Sequence, residues 1–342
     1  MPIIAGPLLL PDATVDGWVH IEGGRVIDWG QDEAPPESPD QMGWITPPPV
    51  NAHTHVADAF LRGQRGMPTS IPELVGPGGW KHRQLAMARK GRAASGVVRY
   101  ASEMADIGTS HFIDFRENGI SGSRFLKDLR DGAEWLAMEQ VASPPVTGII
   151  FGRPNMHDFD PDEAEDLLEI VDGIGLSGMR DFPERSDLNH WVEAAHAADK
   201  PWAVHVSEDR HDPFDDVASM EPDHIVHMVH APPGDFAMAA DIGLPIVACP
   251  RSNRFFGSKT PARLMMEADC LVAFGTDNGM LQDGDLRKEA ALFRSYAPDT
   301  TDEQLLRMMT HNGRIVAGLP EWTPDEGVPV VWPEAPFAGV MP

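Results

Sequence analysis

Short apolar runs rich in β-branched and aromatic residues recur along most of the chain, and they alternate with longer amphipathic stretches. The first run leads into residues 51–55 (NAHTH). Seven more follow it, at 109–115, 146–151, 174–179, 201–206, 224–230, 244–249 and 270–276. Runs of this length and composition predict strands, and the intervals between them are long enough for a crossover helix each time.

Helix start signals fall in several of these intervals. Residues 160–163 (DPDE) combine a capping aspartate, a proline and acidic residues, and Thr260-Pro261 and residues 301–304 (TDEQ) have the same character. Eight strand–helix units in alternation predict an α/β fold, a (β/α)8 TIM-type barrel. A doubly wound open sheet is the alternative, and the missing glycine-rich phosphate loop after the first strand weakens it.

The two ends of the chain have a different pattern. Residues 18–27 predict two short strands around Gly23-Gly24, and residues 328–332 (VPVVW) predict one strand in the proline-rich tail. We therefore predict a small appended β unit formed by residues 1–45 plus 318–342. The barrel then covers residues 46–317.

Composition narrows the possible partners. The 342 residues include 53 Asp and Glu against 27 Lys and Arg, a formal net charge of −26. Such a chain lacks the clustered cations that nucleic acids and anionic membranes require. Two cysteines cannot form a disulfide framework, no apolar run approaches the roughly 20 residues of a membrane helix, and the first residues lack the features of a signal peptide. We expect a cytoplasmic protein with a small-molecule substrate, and homo-oligomerisation stays open.

Lysine is scarce among the basic residues. The excess of carboxylates with few lysines indicates a salt-rich cytoplasm, where screening removes the mutual repulsion of the acids. An ordinary acidic cytosolic enzyme is the alternative. The lysines are Lys81, Lys90, Lys127, Lys200, Lys259 and Lys288.

Histidine and aspartate stand where predicted strands end. His53 and His55 leave the same side of the first strand, His205 closes the fifth, and Asp277 follows the eighth. The carboxyl ends of barrel strands meet at one rim, and neutral imidazole with carboxylate suits a transition metal. The sequence therefore predicts a metal site at this rim.

Five segments, taken in their order, resemble the amidohydrolase superfamily, in its mononuclear deaminase branch of cytosine deaminase, S-adenosylhomocysteine deaminase and triazine hydrolases. They are VNAHTHVADAFLRG (50–63), HVSE (205–208), HMVHAPPGDF (227–236), CPRSN (249–253) and GTDNG (275–279). The resemblance covers nearly the whole chain.

The resemblance implies roles for individual residues. It makes His53, His55, His205 and Asp277 the metal ligands. It also makes Glu208 the proton shuttle, His227 the catalytic histidine, and Asp277 a base as well as a ligand. His224 and His230 are the alternatives to His227 on the same strand.

The number of metal ions is argued from lysine. Binuclear relatives often bridge two metals with a carbamylated lysine at the end of strand 4, and here that strand ends at residues 178–181 (GMRD). None of the lysines lies at the carboxyl end of a predicted strand. We expect one divalent metal ion per chain, zinc in the first place, with iron or manganese as alternatives.

The resemblance implies a metal-dependent hydrolytic deaminase that acts on a nucleobase-like or other heterocyclic C–N bond through an activated water. The alternative is an amidohydrolase that cleaves an acyclic amide, guanidine or formimino group. A barrel that binds a metal or ligand without turnover is a third hypothesis, and Glu208 argues against it because such a barrel does not need a proton shuttle.

Candidate substrate contacts are basic residues near the rim. Arg116, Arg153 and Arg180 end strands 2, 3 and 4, and His230 lies just beyond strand 6. The alternative is that the arginines pair with the neighbouring acids Asp114, Glu117 and Asp181. The long segment 56–80 after strand 1 is a candidate lid over the barrel mouth.

Overall fold

The computed structural model describes residues 2–76, 78–155, 158–180, 182 and 184–342, with the backbone alone at Glu326. The strands, in chain order, are β1 (Ile3–Leu9), β2 (Thr14–Glu22), β3 (Arg25–Gln31), β4 (Gln41–Met42), β5 (Trp44–Thr46), β6 (Val50–His55), β7 (His111–Arg116), β8 (Thr147–Gly152), β9 (Gly173–Leu176), β10 (Trp202–Val206), β11 (His224–His227), β12 (Ile246–Ala248), β13 (Val272–Phe274), β14 (Asp277–Asn278) and β15 (Val330–Trp332).

Helices occupy the intervals between the strands. They are α1 (Ile71–Leu74), α2 (Trp80–Met87), α3 (Lys90–Ala105), α4 (Gly119–Asp131), α5 (Trp135–Met138), α6 (Pro161–Leu168), α7 (Arg185–Ala197), α8 (Phe214–Ala218), α9 (Pro233–Asp241), α10 (Pro250–Phe255), α11 (Ala262–Glu267), α12 (Leu286–Tyr296), α13 (Asp302–Met309) and α14 (His311–Val316). Short 3-10 helices span Val56–Leu61 and Pro324–Glu326.

The larger sheet is parallel and closes on itself. Its order is β13-β12-β11-β10-β9-β8-β7-β6-β14. Since only two residues separate β13 from β14, the chain itself joins the two ends of the sheet into a barrel. These strands are buried on both faces, as the strands of a parallel barrel must be, and the predicted TIM-type architecture is confirmed.

Closure depends on one glycine. A Cβ atom on Gly275 would lie 2.6 Å from the Cβ of His53 and 2.8 Å from its carbonyl oxygen. No larger residue fits there without displacing β6. Gly275 therefore lets the eighth strand pass directly over the histidine strand.

The barrel interior is apolar below the rim. Phe115 and Phe151 stack with ring centroids 5.7 Å apart, and Val226, Val247 and other small residues fill the space beside them. Outside the barrel, helices bury large side chains such as Trp191 against the strands. This packed core supports the polar residues at the carboxyl ends of the strands.

The terminal strands form a second sheet in the order β15-β5-β1-β2-β3, and β4 pairs with β1. β15 runs antiparallel to β5, with Trp332 opposite Trp44. The tail strand therefore joins the N-terminal strands, as predicted. The exact division at residues 45/46 and 317/318 stays a prediction, and β5 crosses the first of these boundaries.

The predicted helix starts are confirmed with one exception. The Asp160 side chain accepts a hydrogen bond from the Asp162 backbone, and Thr301 with Gln304 forms a capping box. The expectation for Thr260-Pro261 is partly wrong. α11 begins at Ala262, and the Thr260 hydroxyl accepts a hydrogen bond from the Asn253 amide instead.

Within the described residues, no helix has both the length and the apolar character that crossing a membrane demands.

Candidate metal centre and active site

The four predicted ligands converge at the carboxyl ends of β6 and β10 and at the start of β14. Nε2 of His53 lies 3.2 Å from Nε2 of His205 and 3.5 Å from Oδ1 of Asp277, and Nε2 of His55 lies 3.5 Å from the same oxygen. All four side chains are buried. Ligand nitrogens of His53, His55 and His205 therefore lie within 4.8 Å of one another, and Oδ1 of Asp277 is 3.5 Å from two of these rings.

Hydrogen bonds determine which nitrogen of each ring faces this point. Nδ1 of His205 is 2.8 Å from the carbonyl oxygen of Leu176, and Nδ1 of His55 is 2.9 Å from that of Phe115. A carbonyl only accepts, so in each ring Nδ1 carries the proton and Nε2 presents its lone pair. This is the arrangement in which histidine binds a metal.

The charges fit the same purpose. Burial lowers the pKa of His53 to about 4 and lowers that of His205 well below its ordinary value, so both rings are neutral near pH 7. Burial opposes ionisation of Asp277, but the hydrogen bond to His53 and the neighbouring imidazoles hold its pKa well below the usual range. Nε2 of His53 lies 3.2 Å from Nε2 of His205 and 3.5 Å from Oδ1 of Asp277, and neutral imidazole nitrogen together with carboxylate oxygen is a donor set that suits a divalent transition metal ion.

Glu208 and His227 stand beside this point. Nε2 of His227 is 3.7 Å from Oε1 of Glu208, and ligand atoms of Glu208, His227 and Asp277 all lie within 4.8 Å of one another. Burial raises the pKa of Glu208. A carboxyl group with a raised pKa, next to a histidine, is suited to giving and taking protons near neutral pH.

Left-handed backbone turns these side chains inward. Ser207, His227 and Asp277 have φ angles of 52°, 77° and 57°. Non-glycine residues are uncommon there, and such conformations persist at functional sites because the surrounding structure imposes them. Here they occur where β10, β11 and the eighth strand end.

Residues from the loop and helix after β12 complete the surroundings. Nδ1 of His227 is 3.1 Å from Oδ1 of Asn253, and the Ser252 hydroxyl donates a short hydrogen bond to Asp277. Both belong to the segment 249–253, which carried the resemblance without a role for either residue. Both residues lie in α10, a helix of six residues, which is too short for its sequence to show a helical period. Their side-chain directions could therefore not be predicted from the sequence.

A buried group of charges lies behind His55. Glu117 is 3.0 Å from Nδ1 of His55, and it forms a short ion pair with Lys81 of α2. Asp58 is 3.8 Å from the Lys81 ammonium, and burial raises the Asp58 pKa to about 7. Sequence reasoning missed this group, since Lys81 lies outside every predicted strand and Glu117 was considered only as a partner for arginine.

Two of the four predicted substrate contacts line a cavity and two do not. Arg153 and Arg180 line a cavity of about 290 Å3 that opens in front of His205 and Glu208. Arg116 does not line it. This side chain is buried, and it binds Glu117 and the Gly122 carbonyl.

His230 is exposed and lies outside the cavity, with its backbone N–H donating to the Ser207 carbonyl. His224, the other alternative to His227, is buried inside the barrel against Phe115 and Phe151. Of the histidines on β11, only His227 adjoins Glu208.

The alternative pairings of the arginines are partly realised. Arg116 pairs with Glu117, and Arg180 pairs with Asp212 at 2.9 Å rather than being free. Asp181 lies outside the described residues. Part of the predicted lid segment borders the same cavity through Ile71, Pro72, Val75 and Gly76.

The chain is similar in sequence to several known proteins. The chain is 32% identical over 247 residues to a putative aminohydrolase of Archaeoglobus fulgidus, which covers 72% of this chain and 67% of that protein. It is 28% identical over 326 residues to the 5-methylthioadenosine/S-adenosylhomocysteine deaminase of Halobacterium salinarum, covering 83% and 70% of the two chains.

Solved structures share the fold at lower identity. The atrazine chlorohydrolase of Arthrobacter aurescens in complex with zinc superposes with a TM-score of 0.68 at 16% identity, over 100% of this chain and 90% of that one. The sequence model of the amidohydrolase family matches residues 44–321, which include every proposed ligand. The chain therefore belongs to the amidohydrolase family.

Proposed function

We propose that the protein is a metal-dependent deaminase that hydrolyses a C–N bond of a small nucleobase-like heterocycle. The observation that carries the proposal is the position of Glu208, whose carboxylate lies 3.7 Å from His227 Nε2 at the edge of the ligand group. A barrel that only bound a metal would have no use for a carboxyl of raised pKa there.

His53, His55, His205 and Asp277 would hold the metal ion. A divalent metal lowers the pKa of a bound water toward neutrality. Lys81 is already ion-paired with Glu117, so it is not available as a carbamylated bridge, which supports one metal ion per chain. Zinc is the first candidate for its identity, with iron or manganese as alternatives.

The chain's own residues then move the protons. Glu208 accepts a proton from the attacking water as the C–O bond forms, and donates it to the ring nitrogen beside the reacting carbon. Nε2 of His227 has no hydrogen-bond partner among the described residues, and it accepts a hydrogen bond that orients the attacking oxygen. Asp277 takes the second proton from that oxygen and passes it to the amine. The C–N bond breaks, ammonia leaves, and a carbonyl remains.

The cavity limits the substrate. About 290 Å3 suits a small heterocycle, and three arginines (Arg153, Arg180, Arg210) line the cavity together with three acids (Glu208, Asp209, Asp212), of which Asp212 pairs with Arg180. Guanidinium recognises carbonyl and carboxylate oxygens. We infer a heterocycle whose face opposite the reacting carbon carries such an oxygen.

The test is ammonia release from a panel of pyrimidines, purines and triazines, with Zn2+, Fe2+ or Mn2+ supplied. Deamination of at least one oxygen-bearing heterocycle is expected, together with one equivalent of metal per chain. Turnover of an acyclic amide, guanidine or formimino compound without any heterocycle would favour the alternative activity. Two equivalents of metal would overturn the single-metal proposal.

A further inference from the structure

Lys81 carries a positive charge into the protein where no solvent reaches it. Its side chain is 3% exposed, although it belongs to α2, a helix outside the barrel. A buried ammonium is unfavourable unless it is paired and hydrogen-bonded. The contacts that compensate this burial therefore indicate what the residue does.

Each strong contact of the Lys81 ammonium leads to a different proposed metal ligand. Nζ forms its short ion pair with Oε1 of Glu117, and the same oxygen is 3.0 Å from Nδ1 of His55. Nζ also donates to Oδ1 of Asn278 at 3.0 Å, and Nδ2 of Asn278 donates to Oδ1 of Asp277 at 2.8 Å. One ammonium group thus joins the outer partners of two ligands.

The arrangement constrains both ligands. An Asn278 amide that presents its oxygen to Lys81 must present its nitrogen to Asp277. Lys81 holds the Glu117 carboxylate in place, and this carboxylate contacts Nδ1 of His55, on the side of the ring away from the other ligands. His55 and Asn278 are register partners across β6 and β14, so Lys81 bridges neighbouring strands from outside the barrel.

We propose that Lys81 is a positioning residue for the metal centre, which orients His55 through Glu117 and Asp277 through Asn278. This inference rests on the proposed function in one respect, since it requires that His53, His55, His205 and Asp277 bind a metal ion. Residues that hydrogen-bond a metal ligand directly, as Glu117 and Asn278 do here, typically change metal affinity by about 10–100-fold when they are lost. Lys81 acts on two ligands, so its loss is expected to fall in that range.

The experiment measures Zn2+ affinity by competition with a chromophoric chelator, without reference to catalysis. Lys81→Met keeps the length of the side chain and removes its charge, and we expect Zn2+ to bind about 10–100-fold more weakly. Lys127→Met is the matched control, because Lys127 pairs with Asp131 on the exposed surface. It should leave Zn2+ affinity unchanged within about twofold.

A second variant separates positioning from stability. Lys81→Met leaves the buried Glu117 with Arg116 as its remaining cationic partner, and the loss of one partner alone can destabilise the fold. The double variant Lys81→Met/Glu117→Gln removes both charges, and we expect the unfolding temperature to recover while Zn2+ affinity stays at least about tenfold low. Recovery of both, or a folded Lys81→Met with parental affinity, would overturn the proposal. A parent that binds no Zn2+, Fe2+ or Mn2+ would instead refute the proposed metal-dependent function.

Discussion

Nδ1 of His227 lies 3.1 Å from Oδ1 of Asn253, and this contact determines which ring nitrogen faces Glu208. The Asn253 amide nitrogen donates to the Thr260 hydroxyl at 2.8 Å, which leaves the amide oxygen for the ring. Nδ1 of His227 therefore carries a proton, and Nε2 is the ring nitrogen that faces Glu208, 3.7 Å from Oε1. The segment after β12 thus controls a residue at the end of β11.

Replacing Asn253 should impair turnover without removing the metal. Asn253→Ala frees the His227 ring to rotate and to change tautomer, so we expect kcat to fall by about 10–100-fold with metal content retained. The measurement is ammonia release on an identified substrate together with metal analysis. Asn189→Ala on the exposed face of α7 is the control. An unchanged kcat would show that His227 needs no orientation.

Glu208 is expected to matter only for proton transfer. Glu208→Gln keeps the shape of the side chain and removes its basicity, so turnover should drop by about 10²–10⁴-fold while one equivalent of metal stays bound. Glu193→Gln, exposed on α7, provides the comparison. Turnover that survives in Glu208→Gln would take this residue out of the mechanism.

His224 should contribute to the loss of folding stability at acidic pH. It is fully buried inside the barrel, both ring nitrogens lack a hydrogen-bond partner among the described residues, and burial lowers its pKa to about 3. The unfolded chain protonates this residue near pH 6.5, whereas the folded chain does not. Its contribution to stability is therefore complete above pH 6.5 and is lost as the pH falls toward 3.

His224→Leu removes this difference between folded and unfolded chains. The free energy of unfolding of the variant, relative to the parent, should rise by about 1.4 kcal/mol for each pH unit below 6.5. Urea titrations of the metal-free proteins from pH 7.5 to pH 5 measure it. His196→Gln, on an exposed position, should track the parent. Parallel stability curves for His224→Leu and the parent would contradict the prediction.

Gly275 should tolerate no side chain. Gly275→Ala forces β6 away from the eighth strand at His53, and we expect unfolding to become easier by about 1–3 kcal/mol, with weaker Zn2+ binding. Gly234→Ala is the matched control, because a Cβ atom there meets no neighbour and α9 gains a better helix former. Equal stability of the two variants would mean that β6 and the eighth strand can move apart to accommodate a Cβ atom at residue 275, and would contradict the prediction.

The barrel and its ligand set were accessible from the sequence because they depend on strand ends. In a parallel barrel the carboxyl ends of all strands meet at one rim, so the positions of His53, His205 and Asp277 along the chain already imply that they meet. Glu208, two residues after β10, lies beside them for the same reason, and its role stays a prediction.

The residues that surround the ligands could not be predicted in this way. Lys81 reaches the site from a helix, and Asn253 reaches it from a short turn of α10, so neither lies at a strand end. Arg116 shows the converse, because it ends β7 and yet its guanidinium turns away from the cavity toward α4. The position of a residue at a strand end predicts where its backbone lies. The direction of its side chain depends on the packing around it, which the sequence does not give.

The pairing of β15 with β5 has a consequence for synthesis of the chain. β5 lies between β1, which precedes it along the chain, and β15, which is synthesised only after all strands of the barrel. Until then one edge of β5 has no partner, and only Pro47, Pro48 and Pro49 separate it from the histidine strand β6. Unpaired edges promote aggregation. A chain that stopped before β15 would contain every proposed metal ligand and still expose this edge, so β15 protects the small sheet after the barrel strands have all been made.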